Sequence, residues 1–244
     1  MPGQPKSDRP PVDRSAALDD VLATLRRDRG LVVFDLDSTL LDNRPRQALI
    51  LREFGESIGE PALRIVGPEH FDGWDLEVAM RNAGVAPERA HALRDPARRF
   101  WRDRFFTSAY CAHDVPVRGA PDFVREAGAL GEIVYLTGRH EGMREGTVAS
   151  FRAAGFPEPE TRAVHLLLKP TLEMHDDLWK DQACARVLAL GRVVAAFDNE
   201  PAHINRYHEI FAGALCVHLD TDHSGRPIAL APGIPSIPNF LRGK

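Results

Sequence analysis

The sequence has 244 residues, 43% of them hydrophobic and 27% charged, which is typical of a globular domain with a sizeable core. Its 31 basic and 35 acidic side chains give a formal net charge of −4, so no overall basic field attracts nucleic acid or an acidic membrane. The three cysteines (Cys111, Cys184 and Cys216) form no CxxC motif, which argues against a zinc ribbon or a disulfide framework.

The N-terminal segment is rich in proline and charge and contains no apolar stretch. Residues 1–14 are therefore predicted to be a disordered lead-in and not a secretory signal. No apolar run reaches the roughly 18–20 residues that a membrane span needs. These features predict a cytoplasmic protein without a membrane partner.

After a first helix predicted at 16–29, apolar runs of strand length alternate with helical patterns. Strands are predicted at 31–37, 132–137, 163–168, 192–197 and 214–218. Helices are predicted at 120–129, 141–154, 176–190 and 201–211. This alternation indicates βαβ units, and hence an α/β fold with a doubly wound parallel sheet whose chemistry gathers at the carboxyl ends of the strands.

One long segment interrupts the alternation, since residues 44–113 show helical patterns and no convincing strand. Helices are predicted there at 46–59, 75–83, 87–93 and 96–106, separated by proline and glycine. The pattern predicts a helical insertion at 44–113 in a core formed by 15–43 and 114–244. The tail, 224–244, is predicted to pack irregularly over the sheet edge.

The first strand, LVVF, is followed by Asp35 and Asp37. Two carboxylates so close together at a strand end are costly unless a cation or different protonation roles separate their charges. A divalent ion bound between the two carboxylates would provide the cation. Alternatively, one carboxylate is a nucleophile and the other a general acid/base. The alternative for this motif alone is a turn closed by Asp37, Ser38 and Thr39.

Two later strands also end in polar residues. Thr137-Gly138-Arg139 offers a hydroxyl and backbone N–H groups that could hold phosphoryl oxygens, and Arg139 either contacts substrate or anchors its loop. FDNE places a third carboxylate, Asp198, at another strand end. A lysine between these motifs could neutralise a phosphoryl dianion.

Taken in order, FDLDSTL, LTGR, a downstream lysine and FDNE resemble the motifs of the haloacid dehalogenase superfamily. The resemblance covers about residues 30–43 and 114–220. It implies a Rossmannoid core with a helical cap, and a Mg²⁺-dependent phosphatase that hydrolyses a small phosphorylated metabolite through an aspartyl-phosphate. The dehalogenases of the superfamily lack an acid/base Asp two residues after the nucleophile, so Asp37 favours phosphate ester chemistry.

The resemblance also implies roles for individual residues. Asp35 is the expected nucleophile, and Asp37 the expected acid/base, whose backbone carbonyl also reaches the metal. The expected ligands of Mg²⁺ are Asp35, Asp37 and Asp198. Thr137, together with Gly138 and Arg139, is expected to bind the transferring phosphoryl group.

The last motif departs from the family pattern, which often has a second Asp where this chain has Asn199 or Ala202. Asn199 is either an indirect metal contact or a turn residue. Glu200 is either a replacement metal ligand or a carboxylate that stabilises a helix start.

The active-site lysine has two candidates. Lys169 follows a strand end directly, whereas Lys180 lies one turn into a helix. Lys180 precedes Asp198 by 18 residues, enough for one helix and one strand, and is therefore the favoured candidate. The apolar face of its helix is predicted to contain Leu178, Cys184, Val187 and Leu188, with Lys180 off that face.

The insertion carries Arg94, Arg98 and Arg102 at a spacing of four residues. They form either a solvated helix face or a site for an anionic substrate group.

The sequence leaves two alternatives to a phosphatase: a phosphotransferase or mutase of the same superfamily, and a catalytically silent module that binds a ligand or partner. A nucleic-acid substrate is disfavoured by the net charge and the absence of a basic tract with interleaved aromatics.

Overall fold

A computed structural model describes residues 14–159 and 163–242. The lead-in predicted at 1–14 lies outside these residues except for Arg14, which begins the first helix. The strands are β1 (Leu31–Phe34), β2 (Leu41–Asp42), β3 (Val115–Pro116), β4 (Glu132–His140), β5 (Val164–Lys169), β6 (Val193–Asp198), β7 (Leu215–Leu219) and β8 (Ser236–Ile237). The α-helices are α1 (Arg14–Asp28), α2 (Arg44–Ile58), α3 (Leu76–Asn82), α4 (Pro87–Phe105), α5 (Ala120–Leu130), α6 (Arg144–Ala154), α7 (Asp176–Leu190) and α8 (Pro201–Ile210).

Six strands form one parallel sheet in the order β5-β4-β1-β6-β7-β8, whereas β2 and β3 pair separately and antiparallel. All four side chains of β1 are buried, as expected for an apolar strand covered on both faces. The register places Phe34 opposite Tyr135 of β4 and Phe197 of β6. Asp35 and Asp198, each one residue further along, therefore lie side by side at the carboxyl edge.

Helices cover both faces of the sheet and confirm the predicted doubly wound α/β architecture. On one face, α1, α5 and α6 pack through an apolar cluster that includes Leu22, Phe123 and Phe151. On the other face, α7 and α8 pack through Trp179 and Tyr207. Among the described helices, none is both long and apolar enough to cross a bilayer.

Residues 44–113, called here the helical insertion, lie between the two short strands β2 and β3. Their helices α2, α3 and α4 enclose a separate apolar cluster that includes Leu51, Phe54, Met80 and Leu93. Three 3₁₀ turns complete the insertion, at Pro61–Ile65, Pro68–His70 and Ser108–His113. The insertion therefore has an apolar core of its own beside the sheet.

Two details of the sequence prediction were wrong. The helices expected at 87–93 and 96–106 are one continuous helix, α4, with Pro96 inside it. Proline removes one helical hydrogen bond, but buried Leu93 and Ala97 hold both halves against the core of the insertion. The tail is also not wholly irregular, because β8 adds a sixth parallel strand beside β7.

Candidate active site

Two of the predicted carboxylates meet one lysine at the carboxyl edge of the sheet. Lys180 Nζ donates to Asp35 Oδ1 at 2.8 Å and to Asp198 Oδ2 at 2.7 Å. Asp35 and Lys180 are each only 4% exposed, and Asp198 is fully buried. The three charged groups thus form a compact buried cluster whose members come from β6, α7 and the end of β1.

Burial and charge set the protonation of this cluster. Burial raises the pKa of Asp35 to about 6, with Asp198 adding to the rise and Lys180 opposing it. Burial also acts to raise the pKa of Asp198, but Lys180 and His203 together outweigh it and the pKa lies well below the usual range. The pKa of Lys180 stands well above its usual value because Asp198 and Asp35 outweigh its burial. The ammonium is therefore retained, and further positive charge beside Asp35 would favour its ionised form.

Lys180 lies on the buried face of α7, contrary to the sequence prediction that it stands off the apolar face. Cys184 and Val187 are buried as predicted, whereas Leu178 and Leu188, also expected on that face, are 52% and 48% exposed. Asp35 and Asp198 compensate the charge of the buried ammonium, and this makes the burial of Lys180 favourable. Lys169, the alternative lysine, contacts Asp176 at 2.6 Å.

Asp37 is held by three donors that belong to other elements. Its Oδ1 accepts from Arg139 Nη2 at 2.6 Å, from Arg46 Nη2 at 2.9 Å and from Asn43 Nδ2 at 2.9 Å. Burial acts to raise the pKa of Asp37, but Arg139 and Arg46 outweigh it and lower the pKa to about 2. In this arrangement Asp37 is ionised at neutral pH, so it can accept a proton but has none to donate.

A second buried carboxylate, Asp114, completes this network. Its Oδ2 accepts from Arg139 Nη2 at 2.6 Å, and its Oδ1 lies 2.9 Å from Arg46 Nε and from Asn43 Nδ2. Asn43 directly precedes the helical insertion, Arg46 lies in its first turn, and Asp114 directly follows its end. Sequence reasoning missed all three, because nothing in the local pattern of a lone Asn, Arg or Asp marks it; their only signal is their position at the ends of the insertion.

The Thr137-Gly138-Arg139 motif lies inside β4, which extends beyond its predicted end to His140. Trp179 Nε1 donates to the carbonyl of Thr137 at 2.8 Å, and this fixes the strand end against α7. A Cβ on Gly138 would lie 2.9 Å from Asp176 Oδ2, so a larger residue would crowd that carboxylate. Arg139 is buried, and its guanidinium contacts the protein carboxylates described above, which favours the anchoring alternative.

Thr39 and Asn199 orient the nucleophile candidate. The chain turns sharply at Ser38, whose φ of 61° is left-handed. The Thr39 hydroxyl lies 2.9 Å from Asp35 Oδ2 and 3.0 Å from Asn199 Oδ1, and it accepts from the Asn199 backbone N–H at 3.1 Å. Both oxygens of Asp35 are therefore held, one by Lys180 and the other by Thr39.

Glu200 begins α8 without capping it by a side-chain hydrogen bond. Its carboxylate accepts from the Ser224 backbone N–H at 3.0 Å and from Ser224 Oγ at 2.9 Å, and it pairs with Arg226 at 3.3 Å. These contacts fasten the loop after β7 beside the site. Glu200 is the N-cap residue of α8, so its carboxylate also lies at a helix start, as one of the two alternatives from the sequence states.

A cleft of about 870 Å³ opens above these groups, between the helical insertion and the sheet edge. The core contributes residues that include Asp35, Asp37, Gly138, Lys180 and Asn199 to its lining. The insertion contributes aromatic and basic side chains, including Trp74, Arg94, Arg98, Trp101, Arg102 and Phe105. A volume of this size accommodates a small organic molecule.

The donor set can be compared with what Mg²⁺ requires. In the described ranges, no group of three or more His, Cys, Asp or Glu side chains is arranged to hold a metal. Asp35 and Asp198 provide two carboxylates, while the side chain of Asp37 is turned to the arginines. Mg²⁺ commonly binds through one or two carboxylates and keeps several waters, so the donors present fit this ion if a backbone carbonyl and water supply the remaining positions.

The chain is similar to known proteins in its fold. No protein-family model matches the sequence, and no curated protein matches it significantly. The "Putative Phosphatase" from Clostridium difficile aligns over 78% of this chain and 85% of its own, with TM-score 0.51 and 11% identity. Protein Tyrosine Kinase A from Mycobacterium tuberculosis aligns over 84% and 92%, with TM-score 0.50 and 18% identity.

A haloacid dehalogenase-like hydrolase from Streptococcus pneumoniae aligns over 78% of this chain and 84% of its own, with TM-score 0.46 and 12% identity. The sheet order, the two helical layers and the polar carboxyl edge define a Rossmannoid α/β protein. More particularly, the chain shares its overall fold with the Clostridium difficile protein, at TM-score 0.51, and with Protein Tyrosine Kinase A, at TM-score 0.50.

Proposed function

We propose that the protein is a Mg²⁺-dependent phosphatase that hydrolyses a phosphate monoester of a small molecule. The observation that carries this proposal is the contact of Lys180 with both Asp35 and Asp198, at 2.8 and 2.7 Å, in a buried cluster facing the cleft. Phosphoryl transfer needs three groups close together in space: a nucleophilic carboxylate, a fixed cation and a second carboxylate.

In the first step, an oxygen of Asp35 attacks phosphorus while the bond to the leaving oxygen breaks. The products are an aspartyl-phosphate on Asp35 and the oxyanion of the leaving group, which takes a proton from water and becomes the free alcohol. Lys180 offsets the negative charge that spreads over the phosphoryl oxygens, and the Thr137 hydroxyl donates a hydrogen bond to one of these oxygens. Thr39 holds the other oxygen of Asp35, which orients the carboxylate for attack.

In the second step, a water molecule attacks phosphorus and releases inorganic phosphate, and the Asp35 carboxylate is restored. Asp37 takes the proton from this water, a role that suits a carboxylate kept ionised by Arg139 and Arg46. The same two arginines make Asp37 a poor donor to the leaving alcohol while they stay in contact. The proposed enzyme therefore works best on substrates whose leaving group needs little protonation.

Asp35, Asp198 and the backbone carbonyl of Asp37 would hold Mg²⁺, which supplies positive charge to the transferring phosphoryl group. The oxygen-only donor set supports this part of the proposal. The helical insertion serves as a cap, because its α4 lines the cleft that contains Asp35 and Lys180. A cap at this position excludes water and selects substrates.

The test is release of inorganic phosphate from an aryl phosphate, with Mg²⁺ and with a chelator. Asp35→Asn removes the anionic nucleophile at nearly constant size and is expected to abolish the release. Asp72→Asn is the matched control, because Asp72 is an exposed carboxylate on the insertion side of the same cleft. Phosphate that appears on an acceptor instead of in solution would indicate a phosphotransferase.

A further inference from the structure

Helix α4 presents a row of arginines to the cleft that contains Asp35. Arg94, Arg98 and Arg102 all line this cleft. Residues four apart lie on one face of a helix, one turn above another, so the three guanidiniums follow a single line along the wall. The cleft is thus acidic at the sheet edge and basic along the insertion.

Two of these arginines lack a carboxylate partner within the described part of the chain. Arg94 Nε lies 3.3 Å from Asp95 Oδ1, whereas no ion pair joins Arg98 or Arg102 to any described residue. Other arginines of the insertion are paired, among them Arg89 with Glu60 and Arg104 with Glu53. Unpaired guanidiniums that face a cavity are available to an anion from solution.

Two acidic side chains, Asp72 and Asp75, line the same cleft. Asp75 caps α3, where its Oδ1 accepts from the Glu77 backbone N–H at 2.8 Å. Asp72 lies near Asp222, whose pKa it helps to raise. Neither forms an ion pair with Arg98 or Arg102.

Aromatic rings form the rest of this wall. Trp101 stacks on Phe105 with 4.4 Å between ring centroids, and Trp74 meets Phe105 edge-on at 5.4 Å. All three residues line the cleft, and the Trp101 Nε1 atom is buried without a hydrogen-bond partner. An apolar surface beside a cationic one suits an organic spacer that ends in an anion.

We propose that Arg98 and Arg102 bind a second anionic group of the substrate, remote from the phosphoryl group that reacts at Asp35. The inference rests on the proposed function and specifies its substrate class: phosphate esters that carry another phosphate or a carboxylate at the far end. Guanidinium groups suit either anion, because their planar fork matches phosphate and carboxylate oxygens in pairs.

The test is calorimetric binding of non-hydrolysable phosphonates in the presence of Mg²⁺. The probes are pentylphosphonate, pentane bisphosphonate with both phosphonates terminal, and pentylphosphonate with a terminal carboxylate. We expect at least one doubly anionic probe to bind roughly 10- to 100-fold more tightly than pentylphosphonate, as one or two charge-assisted contacts provide. The tighter of the two identifies the distal group as phosphate or carboxylate.

Arg98→Gln and Arg102→Gln are each expected to reduce this affinity ratio to about twofold or less, because a single remaining guanidinium in a solvent-screened site attracts an anion only weakly. Arg99→Gln is the matched control, because Arg99 is exposed on the same helix, has no ion pair within the described residues and does not line the cleft. Its ratio should equal that of the wild type. Circular dichroism of each variant verifies folding.

Equal binding of all three probes to the wild type would overturn the inference, and so would an equal reduction in Arg99→Gln. Failure of the proposed function has a different signature. The wild type would then release no phosphate from any ester with Mg²⁺, whatever the affinity ratio of the phosphonates.

Discussion

Arg46 of the helical insertion and Asp37 of the strand-end motif form an ion pair in which Nη2 and Oδ1 lie 2.9 Å apart. The Arg46 side chain is fully buried, and its guanidinium lies 3.7 Å above the ring of Phe105. A residue of the proposed cap thus contacts the proposed catalytic base directly. The surroundings of Asp37 therefore depend on how the insertion packs on the sheet edge.

The first prediction concerns the stability of this network. Arg46→Gln leaves Asp37 and Asp114 short of positive charge, and we expect the free energy of unfolding at neutral pH to fall by about 3–5 kcal/mol. The control is Arg89→Gln, which breaks the exposed 3.2 Å pair with Glu60 and should cost about 1 kcal/mol or less. Urea unfolding measures both, and similar decreases in the two variants would contradict the prediction.

The second prediction concerns pH. Arg139 and Arg46 hold the pKa of Asp37 at about 2 against the effect of burial, below its ordinary value of 3.8. A lowered carboxyl pKa stabilises the fold above the unfolded-state value, and this stability is lost as pH falls through the folded-state value. The deficit of Arg46→Gln relative to the wild type should therefore shrink between about pH 4 and pH 2. A deficit that stays constant in urea unfolding over this interval argues against the assigned charge state.

The third prediction separates the two lysines. Lys180→Ala removes a buried ammonium from Asp35 and Asp198, and kcat should fall by roughly 10²-fold or more. Lys169→Ala removes a contact with Asp176 at 2.6 Å and should change kcat several-fold at most. Steady-state kinetics on one aryl phosphate compares the two. The reverse order of effects would move the active-site lysine to position 169.

The fourth prediction uses the two half-reactions. In Asp37→Asn, attack of Asp35 on an aryl phosphate proceeds because the leaving group needs no acid, whereas hydrolysis of the aspartyl-phosphate lacks its base. We expect a burst of about one equivalent of phenol, followed by turnover slowed by roughly 10²–10⁴-fold. Stopped-flow absorbance detects the burst. Slow turnover without a burst, in a variant shown to be folded, would place the role of Asp37 in the first step.

The fifth prediction concerns the metal independently of catalysis. A ligand that binds only the folded state stabilises it, so Mg²⁺ about tenfold above its Kd adds ~1.4 kcal/mol, or roughly 3–6 °C in Tm. Asp198→Asn should lose most of this shift. Asp181→Asn should keep it, because Asp181 forms an exposed pair with Arg206 away from the cluster. Thermal unfolding with and without Mg²⁺ decides the point, and an unchanged shift in Asp198→Asn removes Asp198 from the metal site.

The sequence by itself determined the layered sheet and the meeting of Asp35 with Asp198. Short apolar runs alternating with helical patterns indicate parallel strands, and parallel strands bring their carboxyl ends to one edge. Both aspartates directly follow or end buried strands that are neighbours in the sheet. Local patterns placed each aspartate at a strand end because strand and motif lie next to each other in the chain, and the family resemblance implied that the two share one site.

Only the tertiary structure decided the face of α7 and the surroundings of Asp37. Hydrophobic periodicity placed Lys180 off the buried face, because periodicity treats every lysine as solvated and contains no term for two buried carboxylates. Likewise, Arg46 contacts Asp37 from one end of the insertion, and Asp114, next to the other end, binds the same two arginines as Asp37 does. Contacts between residues so far apart in the chain leave no mark on local composition, and they arise only when the insertion packs on the sheet edge.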